Sequence, residues 1–282
     1  MDPQAVLAAF DQQLRRHPEG PDGSAAADGS IERDGNVVRS VPSGDGWTGV
    51  TWSDLNPDGT DADAVIAAQI RRFSRLGRFG QFSRSEQLGR SGQSSRPWEW
   101  KLYSYDQPPD LADRLRAAGF TAEPAESLLV AEIAELTLDV PPPAGVTLHE
   151  IVDEPGVAAM VSVHNAVFGG DHAAVGRSML AALAQRPVST VAVLARAGQE
   201  PISSGRLELH LGTEFASLWG GGTLPAWRGR GVFRALVAHR AALAASRGFR
   251  YLQVDASADS RPILRRLGFV ELATTTPFTH PG

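Results

Sequence analysis

One stretch in the second half of the chain constrains the fold more than any other. Polar and apolar residues alternate over 214–224, which predicts a strand, and Pro225 ends it because proline offers no amide to a sheet ladder. Arg-Gly-Arg-Gly follows at 228–231. Apolar residues then recur at helical spacing over 232–247, and Gly248 is placed to end that helix in a left-handed cap. Free amides and the positive end of the helix dipole make the start of such a helix a site for phosphate groups.

Other phosphate-binding motifs do not fit this turn. The chain contains no Gly-x-x-x-x-Gly-Lys-Ser/Thr, which excludes a P-loop. The dinucleotide fingerprint Gly-x-Gly-x-x-Gly also fails, because Arg234 stands where its third glycine belongs. A pattern Arg-x-x-Gly-x-x behind a strand that ends at a proline does fit. A tight strand-to-helix connection that binds nothing stays open as the alternative.

The residues after this helix narrow the choice. A second strand is predicted over 251–256, and the short helix after it tolerates Pro262 in its first turn and ends in Leu-Gly-Phe at 267–269. The order of strand, Arg-Gly-x-Gly turn, helix, strand, helix and Leu-Gly-Phe resembles the GNAT superfamily of acyl-CoA-dependent N-acyltransferases. The resemblance covers about residues 145–275.

Composition limits the partners and the compartment. The 282 residues are enough for two domains or one large one, and the net charge of −5 argues against nucleic acid as a partner. No apolar run approaches the roughly 18 residues of a membrane helix, and no secretory signal is evident, so we expect a cytoplasmic protein with no membrane partner. Without cysteine there is no disulfide and no thiolate-held metal, and no metal is expected. Lys101 is the only lysine among many arginines, which is typical of a GC-rich bacterial genome.

The first half of the chain repeats this organisation. Strands are predicted over 98–105 and 128–133, and between them a basic helix over 111–118 ends in Gly-Phe, as the last helix does. The first half is therefore predicted to be a degenerate copy of the same fold that lacks the Arg-Gly-x-Gly turn. Coincidence is the alternative, because many helices end in glycine. An amphipathic helix over 1–16 could pack on either half.

These patterns predict an α+β fold of two GNAT-like domains, each a mixed, mainly antiparallel sheet flanked by helices. We expect a degenerate N-terminal domain over 1–135, a stiff proline-rich linker over 136–144 and a catalytic acyl-CoA-binding domain over 145–282. Residues 17–30 and 79–96 are too rich in Gly, Ser and other polar residues to build a core, and are predicted to be mobile loops.

The resemblance also implies where acyl-CoA binds. In the superfamily the strand backbone splays at the position of Thr223 and Leu224, and an amide there meets the thioester oxygen. The glycine turn offers successive amides to the pyrophosphate, and nearby arginines can add charge. The superfamily usually has Gly or Ala at the position of Phe233, so this ring could narrow the phosphate seat. The implied acyl-CoA-binding residues are Thr223, Leu224, Arg228, Gly229, Arg230, Gly231, Val232, Phe233, Arg234, Ser257 and Ser260.

The groups that move protons are less well marked. Many relatives carry a tyrosine proton donor where this chain has Leu264, and we expect a tyrosine to be tolerated there. The position often taken by the general base is Ser217, a poor base by itself. Asp255, near the point where the two strands part, and Glu208 on the preceding strand are the other candidates for catalysis. A helix cap for Asp255 and a solvated strand face for Glu208 are the alternatives.

The central strand carries two further signals. Alternation places Ser217, Trp219, Gly221 and Thr223 on one face, which in relatives looks into the cleft for the amine substrate. Three successive glycines at 220–222 weaken a strand, so we expect a ligand or another backbone to approach closely there.

The expected activity is transfer of an acyl group from acetyl-CoA, as co-substrate, to a primary amine of a small molecule by direct attack in a ternary complex. A non-catalytic CoA-binding or regulatory module is one alternative, and another acyl-CoA reaction on the same fold, such as decarboxylation, is a second. His164 and His172 flank the loop expected to cover the amine, and each is interpreted as structural because neither has metal-ligand spacing.

Overall fold

The computed structural model describes residues 1–18, 29–42, 47–55, 61–79 and 97–282. The predicted loops over 17–30 and 79–96 lie largely outside these ranges. The helices are α1 (Pro3–Phe10), continued by a π-helical turn over Asp11–Arg16, α2 (Ala62–Phe79), α3 (Leu111–Ala117), α4 (Glu154–Phe168), α5 (Ala173–Ala184), α6 (Val232–Ser246) and α7 (Arg261–Arg266). The strands are β1 (Gly29–Asp34), β2 (Val37–Pro42), β3 (Gly49–Ser53), β4 (Trp98–Tyr103), β5 (Thr121–Ala122), β6 (Glu126–Glu132), β7 (Val146–Glu150), β8 (Thr190–Ala197), β9 (Glu200–Leu209), β10 (Phe215–Thr223), β11 (Tyr251–Ala256) and β12 (Val270–His280). Across the described ranges no helix is both long and apolar enough to span a bilayer.

The chain folds into two compact units, of which the larger comprises the described residues of 1–29 together with 127–272. Its sheet has the order β6-β11-β10-β9-β8-β7. β10 and β11 run parallel, and the other neighbours are antiparallel. Apolar residues of α6 and α7 pack on one side of this sheet, called the α6 face below, and those of α4 and α5 pack on the other, called the α4 face.

The smaller unit comprises the described residues of 30–126 together with 273–282. Its sheet has the order β1-β2-β3-β4-β12, with β5 on β12. β3 and β4 are parallel, whereas β2 with β3 and β4 with β12 are antiparallel. Trp98, Trp100, Phe120 and Phe278 form much of its core beside residues of α2 and α3. The predicted fold class is confirmed in both units, since each has a mixed, mainly antiparallel sheet flanked by helices.

The elements around the glycine turn were predicted correctly. β10, α6 and β11 lie within a residue or two of the predicted ranges, because their periodicity is regular and Pro225 and Gly248 mark ends. β1 was not predicted, and for β12 only a strand of unstated length after the last helix was expected. β12 contains a proline, Pro277, opposite Lys101 of β4, and a proline inside a run argues against a strand from sequence alone.

The N-terminal segment belongs to the larger unit, which settles where it packs. The Phe10 ring meets the Phe215 ring edge-on at 6.1 Å between centroids. The amide nitrogen of the Gln13 side chain donates to Glu214 at 2.9 Å, and its oxygen accepts from the Glu214 backbone at 2.8 Å. The compact units are thus not contiguous halves of the chain. The predicted domains at 1–135 and 145–282, as two copies of one fold, stay a prediction.

Candidate functional site

The two parallel strands of the larger unit separate partway along their length. Their pairing ends at Ser217 and Gln253, after which β10 runs on to Thr223 and β11 to Ala256. The backbone on this side of β10 therefore faces a gap, called the opening below. Ligands favour such a gap at the carboxyl ends of parallel strands.

A bulge in β10 decides which side chains face which side. Trp219 lies opposite Arg206 and Gly222 lies opposite Ser204, so three steps along β10 match two along β9. Gly220 has a φ of +55°, a conformation that glycine adopts without strain. An extra residue in one strand shifts the alternation, so each residue after it faces the opposite side of the sheet from the one that its position predicts.

The predicted common face of Ser217, Trp219, Gly221 and Thr223 is wrong in its second half. A Cβ built on Gly221 would lie 3.1 Å from the Phe233 ring, which belongs to α6. Gly221 and Thr223 therefore look towards the α6 face, whereas Ser217 and Trp219 look towards the α4 face. Alternation holds only for an unbroken strand.

The three successive glycines make room for side chains of the protein itself. A Cβ on Gly220 would lie 2.8 Å from His164, and one on Gly222 would lie 2.8 Å from Val167, both on α4. The expected close approach is thus present, but α4 and α6 supply the approaching groups rather than a ligand or another backbone.

A buried arginine on α6 holds the strand opposite the bulge. Arg240 is 1% exposed, and its guanidinium donates to the backbone oxygens of Arg206 at 2.9 Å and Leu236 at 3.2 Å. Burial lowers the pKa of Arg240 to about 9. A Cβ on Gly205 would lie 2.6 Å from the Nη1 of this guanidinium. Glycine at 205 is therefore needed to seat Arg240.

We expect Gly205→Ala to lower the free energy of unfolding by about 1–3 kcal/mol, because the new methyl group must displace a packed guanidinium. Urea denaturation measures the change. The matched control is the same substitution in an Arg240→Met background, where the smaller side chain leaves space and the cost should shrink. Equal costs in both backgrounds would show that the clash with Arg240 is not the cause.

The turn before α6 has the geometry of a phosphate seat. Gly229 and Gly231 have φ values of +72° and +88°, and Gly231 is the N-cap of α6. No side chain caps this helix start, and a Cβ on Gly229 would meet nothing within 4 Å. The amides of Val232, Phe233 and Arg234, in the first helical turn, are therefore available to an anion.

The three arginines of the turn are placed differently. Arg228 donates through Nε to the carbonyl oxygen of Thr223 at 3.1 Å, which ties the turn to the end of β10. The Arg230 guanidinium lies 4.9 Å from the Trp227 ring centroid. A Cβ built on the N-cap residue, Gly231, would lie 3.9 Å from Arg234 Nη2.

Thr223 and Leu224 differ in where their amides point. The Leu224 amide donates to the carbonyl oxygen of Ile202 on β9 at 2.9 Å. Because successive amides of a strand point to opposite sides, the Thr223 amide points away from β9 and into the opening. Of the two residues, Thr223 therefore has the amide that faces the opening, and Leu224 continues the ladder with β9. The Phe233 ring packs against Gly221 and does not enter the turn.

Ser257 and Ser260 follow β11. Their hydroxyl oxygens lie 3.2 Å apart, and the Ser260 amide donates to Ser257 Oγ at 3.4 Å. Because β10 and β11 are parallel, these serines lie at the same edge of the sheet as the glycine turn.

A chain of hydrogen bonds crosses three strands on the α4 face. His210 Nε2 lies 2.7 Å from Ser217 Oγ, Ser217 Oγ donates to Gln253 Oε1 at 2.7 Å, and Gln253 Nε2 donates to Asp255 Oδ1 at 2.9 Å. Since Ser217 gives its single proton to Gln253, His210 donates through a protonated Nε2. Two predicted residues, Ser217 and Asp255, thus belong to one network. Sequence reasoning missed Gln253, although its alternation with Asp255 on β11 was a usable signal.

Glu208 joins the same face. It lies directly opposite Ser217 in the β9–β10 pairing. Burial raises the pKa of Glu208, and the positive charge of Arg206 partly offsets this. Burial also lowers the pKa of His210 to about 4, so this imidazole is neutral near pH 7. A carboxylate with a raised pKa is suited to accept a proton from an amine.

Leu264 lies in the core rather than at the opening. Its side chain is 1% exposed and packs with Leu252, Val254 and Phe269 on the α6 face. A tyrosine here would add volume to a filled core and bury its hydroxyl, at a cost of about 1–3 kcal/mol. This burial contradicts the expectation that Leu264→Tyr is tolerated.

A cavity of about 250 Å³ adjoins α6 on the side of α7. Its walls are mostly apolar, and two arginines and a threonine contribute polar groups. The lining residues are Leu136, Thr137, Val140, Arg234, Val237, Ala238, Ala241, Arg266, Leu267 and Phe269. Nowhere in the described ranges do three His, Asp or Glu residues come together as a metal site.

Comparison with known proteins agrees with this geometry. Residues 162–269 match the model of the acetyltransferase (GNAT) family. A GCN5-related N-acetyltransferase from Kribbella flavida is similar over 95% of this chain and 96% of its own, with 21% identity and a TM-score of 0.64. A tandem GNAT protein from the clavulanic acid biosynthesis pathway is similar over 89% of this chain and 82% of its own, with 14% identity and a TM-score of 0.56. A GCN5-related N-acetyltransferase from Sphaerobacter thermophilus is similar over 87% of this chain and 76% of its own, with 14% identity and a TM-score of 0.56. No curated protein matches the chain.

The structural similarities establish the fold over nearly the whole chain. The match to the family model covers the region that contains the turn, α6, β11 and α7. Residues 162–269 therefore match the GNAT acetyltransferase family model, and the fold of nearly the whole chain is similar to that of GNAT proteins.

Proposed function

We propose that this protein is an N-acyltransferase that takes an acetyl group from acetyl-CoA and transfers it to a primary amine of a small molecule, by direct attack in a ternary complex. One observation carries the proposal: the opening between β10 and β11 has the glycine turn at its edge and the Glu208–Ser217 pair on the α4 face. Donor and amine can therefore reach one point from different sides, which is what a direct transfer requires.

The donor half rests on backbone groups. The bare amides after Gly229 and Gly231 fit a pyrophosphate, because a Cβ on Gly229 would fill otherwise open space. The Thr223 amide would then donate to the thioester oxygen as negative charge develops on it. Arg234 and Arg266, which line the cavity beside α6, could pair with the nucleotide phosphate.

The amine half rests on the polar network. Glu208 accepts a proton from the amine, the amine nitrogen attacks the thioester carbon, the new C–N bond forms, and the C–S bond breaks. CoA leaves as a thiolate and takes its proton from solvent, because Leu264 has none to give. Ser217 and Asp255 are linked through Gln253, and together they form the polar surface that orients the amine.

A non-catalytic CoA-binding module is the second candidate, and one observation favours it. The usual position of the proton donor is occupied by the buried Leu264. A binding module needs the glycine turn but no proton donor.

Release of free CoA from acetyl-CoA, measured by a thiol reagent with and without a panel of amines, separates the two candidates. Amine-dependent release supports the transferase. Binding of acetyl-CoA without release in the presence of any amine supports the module instead.

We expect one acetyl-CoA to bind per chain. The segment between β4 and α3, residues 104–110, contains no glycine, so it cannot repeat the turn that precedes α6. Isothermal titration calorimetry measures the stoichiometry, and a value of two per chain would contradict the assignment of the first half as a degenerate copy.

A further inference from the structure

The α4 face carries a half-buried positive charge on Arg206. Arg206 lies on β9 between Ala192 of β8 and Trp219 of β10. Its side chain is half-buried, and its Nε is buried with no hydrogen-bond partner. In the part of the chain that the structure describes, no carboxylate forms an ion pair with its guanidinium. A partly buried cation left in this state is costly, and an arriving anion would recover the cost.

Two neutral groups lie near this guanidinium. The Oγ of Ser204, two residues earlier on the same face, is also buried without a hydrogen-bond partner. Across the gap left by Gly220 lies His164, whose pKa is lowered to about 4 by burial and by the charge of Arg206. His164 therefore adds no second positive charge near pH 7. The site therefore offers one guanidinium fork, because the Ser204 side chain is fully buried.

The negative group of the same face lies close by. Glu208 is two residues from Arg206 on β9, so the two side chains start roughly 7 Å apart and point to the same side. They form no ion pair with each other in the structure, although the positive charge of Arg206 partly offsets the rise that burial causes in the pKa of Glu208. A molecule with a carboxylate and an ammonium group a few bonds apart matches this arrangement.

We propose that the amine substrate carries a carboxylate that Arg206 binds, so that the substrate class is amino acids. This proposal rests on the proposed function, because Glu208 then receives the proton of the amine that is acylated. The planar guanidinium fork matches a carboxylate in a two-point hydrogen bond. A substrate without a carboxylate would leave the Arg206 guanidinium without an anionic partner.

The test compares amino acids with their decarboxylated amines as substrates for CoA release. The pairs are L-leucine with isopentylamine and L-phenylalanine with phenethylamine, and phosphoethanolamine with ethanolamine tests phosphate instead. We expect the wild type to prefer the amino acid by about 30-fold in kcat/KM, the size of effect that a hydrogen bond to a charged group supports.

Arg206→Met should remove most of this preference, and Arg206→Lys should keep part of it, because lysine keeps the charge but loses the fork. The matched control is Arg196→Met. Arg196 lies on β8 of the same sheet, and its guanidinium donates to the Gln199 backbone oxygen at 2.8 Å. This variant should keep the full preference for the amino acid.

Equal rates for both members of the carboxylate pairs would overturn the proposal, and so would a preference that survives Arg206→Met. A preference for phosphoethanolamine alone would also overturn it. If no amine releases CoA, the proposed function fails, and titration of L-leucine and L-phenylalanine into the CoA-saturated protein decides the substrate class separately. Binding that Arg206→Met abolishes would support the carboxylate site, and no binding to the wild type would overturn it.

Discussion

Glu208→Gln should lower kcat for amine-dependent CoA release by about 10²- to 10⁴-fold, the range that a positioned general base contributes. Affinity for acetyl-CoA should stay the same, because Glu208 lies on the α4 face while the proposed phosphate site is the turn before α6. The thiol-release assay measures the first quantity and calorimetry the second. Loss of acetyl-CoA binding in this variant would contradict a role confined to the amine.

The pH profile separates Glu208 from Asp255. The wild-type rate should rise with pH as Glu208 loses its proton, and the rise should lie above the ordinary range of a glutamate carboxyl because burial raises its pKa. Glu208→Gln should remove this rise. Asp255→Asn is the control and should keep it, because Asp255 is linked to Ser217 through Gln253 rather than directly. If the rise instead vanishes in Asp255→Asn and survives in Glu208→Gln, the base is Asp255.

Gly231→Glu should weaken acetyl-CoA binding by about 100-fold or more. The substitution places a negative charge at the N-cap of α6, where a pyrophosphate would lie against bare amides. Two unit charges about 4 Å apart near a protein surface repel by about 4 kcal/mol, so a 100-fold loss is within reach of this effect. Calorimetry of the folded variant measures the affinity.

Gly231→Ala is the matched control for backbone strain. Gly231 has a φ of +88°, so any side chain at this position is strained whatever its charge. A methyl group there would lie 3.9 Å from Arg234 Nη2, which leaves space. The alanine variant should therefore share the loss of stability but keep most of the affinity. Equal losses of affinity in both variants would show that strain rather than charge weakens binding.

Local signals made the glycine turn and the helix after it predictable from sequence. Gly229 and Gly231 supply positive φ values, and the helix after them has a regular apolar period, so turn and helix could be placed without knowing the tertiary structure. The face of β10 could not be predicted in the same way. The extra residue at Gly220 switches the side of the sheet that the following residues face. A run of three glycines does not show which of them forms the bulge.

Contacts between distant parts of the chain were beyond the reach of sequence patterns. Gln13 meets Glu214 across 201 residues, and no local pattern records that contact. The burial of Leu264 likewise depends on which strands the last helix covers. The position of Glu208 opposite Ser217 follows from the register of β9 and β10, which a one-residue shift in the turn between them would change.

Direct transfer is tested by the mass of the product formed from acetyl-CoA with an isotope-labelled acetyl group, in the presence of the amino acids and amines named above. We expect the amine nitrogen to gain one labelled acetyl group for each CoA released, and the protein itself to carry no acetyl group when acetyl-CoA is added alone. CoA release without a labelled amine, or a labelled protein that later passes its acetyl group on, would contradict direct transfer in a ternary complex.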